Sequence, residues 1–585
     1  ALTAIPVAAQ TPVVAHTSRI GQEHAIAHHL SDDDEFRIPL LQLVDHGKKV
    51  FCANWTDQDG AGRPLTKGTG KPVSDPKAPL TGPRGWNRVS GPDANSCAGC
   101  HNQPYGIPGG GGDLATGVFV LGQRFDFVTF SSKDNLPTRG AVDESGRPVT
   151  LESLANFRAT TGMFGAGYLE MMAREITEDL QAIRDGMKRG ETRKLVSKGI
   201  SFGVLTRRPD NTWDVSGVTG LPRISLLTPT PLDPPTLVIR PWHQASNVVS
   251  LREFTNNAFN QHHGMQSTER FGVDRDPDGD GMVNELTRAD ITAAAVYQAV
   301  LQVPGQVIPN DPEIERAVLN GEKVFSKIGC ATCHVPALPL SRRNWTYTEP
   351  NPFNPTTNLR VGQSQTLKFD LNDPSLPQPR LKPASPDAQW LMVPAYTDFK
   401  LHDITDPKDS SYAEALDMNW PVWAEKFRGG NRRFLTKRLW GSANEPPYFH
   451  HGLFTSLRTS VLAHAGEALD SRKAFEALPD YDKDSLIEFL KSLQVLPPGT
   501  RDLVVDENYK PKVWSGTRQA AARQSASPGL AKSPPMPRRR GHANTASIRL
   551  ASQLARRQEF VRATWQIAGR AVSAARPRHF TPRSH

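Results

Sequence analysis

The chain has no run of about 18 consecutive apolar residues, which excludes a membrane-spanning helix of the ordinary kind. It has only five cysteines in 585 residues, too few and too unevenly spaced for a disulfide-stapled scaffold. Between Asn102 and Trp242 there is no histidine at all, and between Trp86 and Trp213 no tryptophan. The last segment nearly lacks acids: from 511 to 585, 15 Lys/Arg stand against Glu559 alone. That segment therefore holds +14 of a formal net charge of +9, leaving −5 on the rest. A basic nucleic-acid surface on the folded body is excluded by that distribution, and no nucleic-acid partner is expected. The opening ALTAIPVAAQ lacks both Met and a basic stretch, and is expected to be a mature start left after removal of a signal peptide.

What is abundant is glycine (46) and proline (49), so long loops are expected. Four of the five cysteines fall in two CxxCH motifs, Cys97–Cys100–His101 and Cys330–Cys333–His334. Thiols three residues apart share one face of a helical turn, where both can form thioethers with the vinyl groups of one haem. The histidine that follows then lies under the iron. A zinc knuckle would need four donors gathered at each site, and no second Cys pair accompanies either motif. Two covalently bound haem c groups are the expectation, and with them export to the periplasm or beyond. Cys52 is expected to act as a small buried hydrophobe.

The motifs sit in a repeat. Gly47-Lys48-Lys49-Val50-Phe51 precedes the first, and Gly321-Glu322-Lys323-Val324-Phe325 the second. Each copy ends on a helical pattern followed by proline, at 290–304 with Asp290 as N-cap and at 484–498 with Asp484 as N-cap. The pattern predicts a mainly α fold of two cytochrome c-like helical haem domains with long irregular loops and few strands. The boundaries are an extension over 1–34, domains over 35–305 and 306–500, and a basic low-complexity tail over 501–585. Insertions over 52–96 and 336–395 are long enough to shape a site, and a basic helix is conceivable near 547–575.

The ligand opposite each motif histidine decides the chemistry, since a haem closed on both sides moves electrons and one left open can bind small oxidants. The gap in histidines predicts an open or weakly closed first haem. Met163, Met171, Met172, Tyr105, His262 and His263 remain as alternatives for closing it. The second half offers His402, His450, His451 and His464. A further cluster, Asp274, Asp276, Asp278, Asp280 and Glu285, spaces carboxylates as a calcium loop does, with Gly281 where an apolar residue is usual, and a structural Ca²⁺ is expected there.

Several stretches resemble the di-haem cytochrome c peroxidase/MauG superfamily, in particular its di-haem oxidoreductase branch related to rubber oxygenases. They are SCAGCHNQP with GGGG (96–112), TTGMFGAGYLEMM (160–172), DPDGDGMVNELT (276–287), GCATCHVPAL (329–338), YTDFKLHDI (396–404) and LWGSANEPPYFHHGLFTSLRTSVLAHAGEA (439–468). The resemblance implies that His464 stands where family members carry a methionine, and so closes the second haem as a bis-His centre. It implies that His450 is the family histidine, with His451 in place of an acid, and that Glu170 is a catalytic carboxylate over the first haem. The implied activity is peroxide reduction, with a small electron-donor protein as partner. The alternatives are dioxygen-dependent cleavage of an apolar substrate and pure electron transfer.

Overall fold

The computed structural model describes residues 25–62, 94–112, 114–119, 155–277, 280–341, 345–383, 385–406, 413–417, 419–420 and 424–514. The basic tail from 515, including the conceivable helix at 547–575, and Asp278 lie outside them. Both expected haem domains fall within one contact unit, Ala1–Ser527.

Helix α1 (Leu40–Cys52) crosses α4 (Arg288–Ala299), and α5 (Pro312–Lys327) crosses α6 (Asp480–Ser492). Between them in the chain come α2 (Ala166–Asp185) and α3 (Leu251–Ala258). The repeated glycine explains both crossings. A Cβ on Gly47 would lie 2.0 Å from the Ala293 carbonyl oxygen, and one on Gly321 would lie 1.9 Å from that of Ser485. Only hydrogen at these positions lets the backbones approach so closely. Four residues on, one turn away, Phe51 packs against Tyr297 at 5.5 Å and the edge of His101 at 5.9 Å. Its repeat, Phe325, packs against Phe489 at 5.4 Å and His334 at 6.4 Å. GxKVF is thus a device that joins a helix crossing to a CxxCH histidine.

The expected caps shift. Thr287, not Asp290, caps α4: its hydroxyl accepts from Asp290 N, and the Asp290 carboxylate accepts from Thr287 N in return. Asp290 is also held between His29 and His46, at 2.7 Å each, which pins residues 29–46 onto the helix. Helix α6 starts at Asp480, so Asp484 lies inside it.

The mainly α expectation is wrong. The fold is mixed α/β, with 33 % helix and 16 % strand, the strands forming seven small sheets of two or three among the described residues. The reason is local. The long connections close on themselves as short ribbons. The clearest is the hairpin Glu191–Ser197 and Ile200–Arg207, turned at Lys198 and Gly199, both with positive φ (51° and 81°). That is the twist a two-residue hairpin turn requires. Leu195, Phe202 and Leu205 are buried on one face, and the hairpin contacts α2. One large apolar cluster takes residues from both halves of the chain, from Leu43 to Trp440 and Val495, and Cys97 packs against it, whereas Cys330 packs against a second cluster built around Phe325 and Phe489.

Candidate functional site

The CxxCH motifs line two cavities. One of about 590 Å³ is lined by His101, Cys330, Cys333, His334 and His464 together. A second, of about 270 Å³, is lined by Cys97, Cys100 and His101. The larger lies within the volume range of cofactor sites.

A haem held by CxxCH would need free thiols, and an imidazole that is neutral, correctly tautomerised and aimed at the iron. No disulfide joins the five cysteines. Burial raises the Cys97 thiol far above its ordinary value and Cys330 to about 11. Among the described residues one group of three potential metal donors gathers, Cys333, Asp398 and His402, and it lacks a fourth. His101 Nδ1 lies 3.0 Å from the Gly110 carbonyl, His334 Nδ1 3.2 Å from that of Tyr396 and His464 Nδ1 2.8 Å from that of Ser460. In each case Nδ1–H donates, which leaves Nε2 with its lone pair for a metal. Desolvation pushes His101 and His334 down to about 4 and lowers His464, so all three are neutral imidazoles at pH 7.

The His334 and His464 rings lie edge to face, with centroids 6.4 Å apart and planes at 65°. Two imidazoles bound to one metal, with bonds of ~2 Å and ring centres ~1.1 Å beyond each nitrogen, would stand ~6 Å apart. The pair thus has the separation of two axial ligands.

Around the rest of the larger cavity, His450 stacks on Phe434 at 3.6 Å. His451 Nδ1 accepts from Leu453 N at 3.1 Å, so its proton sits on Nε2. His402 is clamped between Asp398 at 2.8 Å and Glu467 at 2.7 Å. Those carboxylates and the Cys333 sulfur outweigh its partial burial and raise it to about 10.

Beside His101, the wall is built by α3 and the turn that follows. Phe254, Ala258 and His262, spaced four apart, line both cavities. Met163 lines the larger one. Of the other suggested ligands, His263 lines the smaller cavity beside Cys97 and His101, and the rest lie elsewhere. Met171 and Met172 are buried in the core, Tyr105 is exposed with its hydroxyl 3.3 Å from that of Tyr509, and His263 holds the Ala94 carbonyl at 2.7 Å and Cys97 Sγ at 3.3 Å.

Glu170 is not brought to either cavity. It is fully buried on α2, ion-paired with Arg174, and accepts from Leu251 N and Asn351 Nδ2 at 2.7 Å each. It ties three elements together. The carboxylate that does line the larger cavity near α3 is Glu253, whose pKa burial raises and whose Oε2 accepts from Val249 N at 2.7 Å.

Of the carboxylates expected to hold calcium, Asp274, Asp276, Asp280 and Glu285 are described and Asp278 lies outside the described residues. Asp276 turns inward to accept from Asp280 N and Gly281 N, and Asp274 binds Asn284. Glu285 is buried and accepts from Gln266 N at 2.6 Å. No ligand set forms among Asp274, Asp276, Asp280 and Glu285.

Sequence reading missed four cavity residues. Arg158 reaches the cavity from strand Ala155–Ala159, its Nε 3.0 Å from Glu414, its Nη1 on His243 Nε2 and its Nη2 buried without a hydrogen-bond partner. His243 is held neutral by desolvation and then by the Arg158 charge. Lys437 and Arg438 line the cavity between the two motif histidines. His243 was the one with a signal, as the first histidine after the long gap.

No family model matches the sequence, and no curated relative matches it either. Among solved structures, hydrazine synthase of Kuenenia stuttgartiensis, studied under xenon pressure, aligns over 83 % of this chain and 100 % of its own at 12 % identity, with a TM-score of 0.29. Similarity at that level does not define a shared fold. No helix of the described residues is long and apolar enough to cross a membrane.

Proposed function

We propose that the chain is an exported di-haem c-type oxidoreductase, with one haem on Cys97, Cys100 and His101 and the other on Cys330, Cys333 and His334. The observation that carries the reading is the His334–His464 pair, two neutral imidazoles at axial-ligand separation with both Nδ1 protons committed to carbonyls. When bound, the haems supply one-electron chemistry at iron. The protein's part is to fix ligand tautomers, to exclude water from an enclosed cavity and to place proton-carrying groups.

Peroxide reduction is the favoured reaction: one peroxide, two electrons and two protons give two waters. The electrons come from a small donor protein. The oxidant enters on the His101 side, where Arg158 and His243 offer hydrogen-bond donors. Glu253 is the carboxyl group placed to hold a proton there, its raised pKa favouring the acid form.

A pure electron carrier is the second reading, favoured by His262, which lines both cavities beside His101 and could close that haem. EPR of the oxidised protein separates the two. One high-spin and one low-spin signal support the oxidoreductase, whereas two low-spin signals support the carrier. His464→Ala should convert the second haem to high spin, and an unchanged low-spin spectrum would remove His464 as its ligand.

A further inference from the structure

The larger cavity carries more positive charge than its own acids compensate. Lys437 and Arg438 are adjacent, enclosed by protein on all sides except the cavity, and neither makes an ion pair with a described residue. Desolvation lowers both, Arg438 to about 10, which leaves Arg438 charged at pH 7. The acid that acts on them, Glu445, is itself raised to about 7 by burial and is committed to Gly111 N at 3.0 Å. Arg158 presents its unpartnered Nη2, and Arg240, bound to the Asn247 carbonyl through Nη1 at 2.8 Å, has a buried Nε without a partner. Arg158 is paired through Nε with Glu414, Glu467 is used by His402 and Glu253 faces Arg240, which leaves Lys437 and Arg438 as the cations without an ion pair. Charges buried without counter-ions cost several kcal/mol each. The arrangement is therefore built for an anion that the polypeptide does not supply.

The anion's chemistry follows from what else lines the cavity. Residues 437–438 line the cavity together with both motif histidines, and the Arg438 charge acts on His101. A tetrapyrrole anchored through its vinyl edge at a CxxC pair carries two carboxylates on the opposite edge, so two such groups bring four carboxylates into this space. A guanidinium matches a carboxylate with paired donors, and an ammonium matches it as a point charge.

Resting on the di-haem reading above, we infer that Lys437, Arg438, Arg158 and Arg240 form a carboxylate-binding wall that neutralises the haem propionates. The same chemistry would suit a free carboxylate, and the test separates the two sources.

The holoprotein and the variants Arg438→Gln, Lys437→Gln and Arg438→Lys are compared by haem count, by the propionate bending band in resonance Raman and by the midpoint potentials. The expected result is two haems in every protein. In the glutamine variants the propionate band of at least one haem shifts and its midpoint potential falls, because a lost positive charge favours the oxidised iron. Arg438→Lys retains a midpoint near wild type and shows that the fold tolerates the site. Two haems with unmoved propionate bands and potentials in both glutamine variants would overturn the inference while leaving the di-haem reading standing. A wild-type protein with no covalent haem would overturn both. Benzoate titrated into the wild-type holoprotein tests the free source: saturable spectral binding that Arg438→Gln abolishes would assign the wall to a soluble carboxylate and refute the propionate assignment.

Discussion

Glu170→Gln tests the reassignment of the residue most exposed to error. The side chain is fully buried and anchors α2 to Leu251 N, to Asn351 and to Arg174, which is itself buried, donates to Thr348 and lies over the Tyr347 ring. Glutamine keeps the shape and one acceptor oxygen but removes the charge. Breaking a buried pair by removing one partner costs about 3–5 kcal/mol, because the remaining ion is uncompensated. An amide NH₂ turned toward Leu251 N or Asn351 would orphan a buried donor at about 1–3 kcal/mol more. Set against a typical total of about 5–15 kcal/mol, the variant should lose a large share of its stability. Urea unfolding of the purified holoprotein, followed by tryptophan fluorescence, should show a markedly lower midpoint with unchanged slope. Peroxide turnover per folded molecule should stay near wild type. A wild-type urea midpoint combined with a turnover loss of about a hundredfold or more would show Glu170 to be a catalytic acid–base group and refute the structural assignment.

The other predictions concern the cavity, the repeat and the N-terminal clasp. Glu253→Gln keeps the acceptor for Val249 N but cannot carry a proton, so peroxide turnover should fall by about 10²–10⁴, with the urea midpoint little changed; full turnover would exclude Glu253. Gly321→Ala places a methyl 1.9 Å from the Ser485 carbonyl. Overpacking of about 1–3 kcal/mol should outweigh about 1 kcal/mol gained in helix propensity, and an undiminished urea midpoint would show that the crossing is not tight. Asp290 is held far below the usual carboxylate range by hydrogen bonds from His29 and His46, against desolvation that opposes them. Because its folded pKa is depressed, its stabilisation is present above the unfolded value of about 3.9 and is lost as pH falls below it. Asp290→Asn should flatten that acid limb of the stability curve, and a limb identical to wild type would count against the clasp.

The sequence by itself determined what short stretches of chain can encode. CxxCH needs only one turn to place two thiols and an imidazole, so both Cys–Cys–His clusters were legible, as was the repeat that carries GxKVF before each. His464 was singled out through its motif, and the fold brings its ring to 6.4 Å from that of His334. The hairpin at 191–207 was equally local, with a Lys-Gly turn between alternating strands, and the mainly α reading overlooked it. The rest depended on contacts distant in sequence. Glu170 stood at a plausible spacing from its motif, but spacing along the chain does not say which way a helix turns its face. Only packing against residues 251 and 347–351 decided that it looks into the core. The expected calcium ligands had the spacing of a loop site, and among the described ones Asp276 accepts from the Asp280 and Gly281 amides and Asp274 from Asn284. The cationic wall required strand Ala155–Ala159, the turn at 240–247 and residues 437–438 to meet at one cavity. No local pattern marks an arginine as buried and uncompensated, because desolvation is a property of everything packed around it.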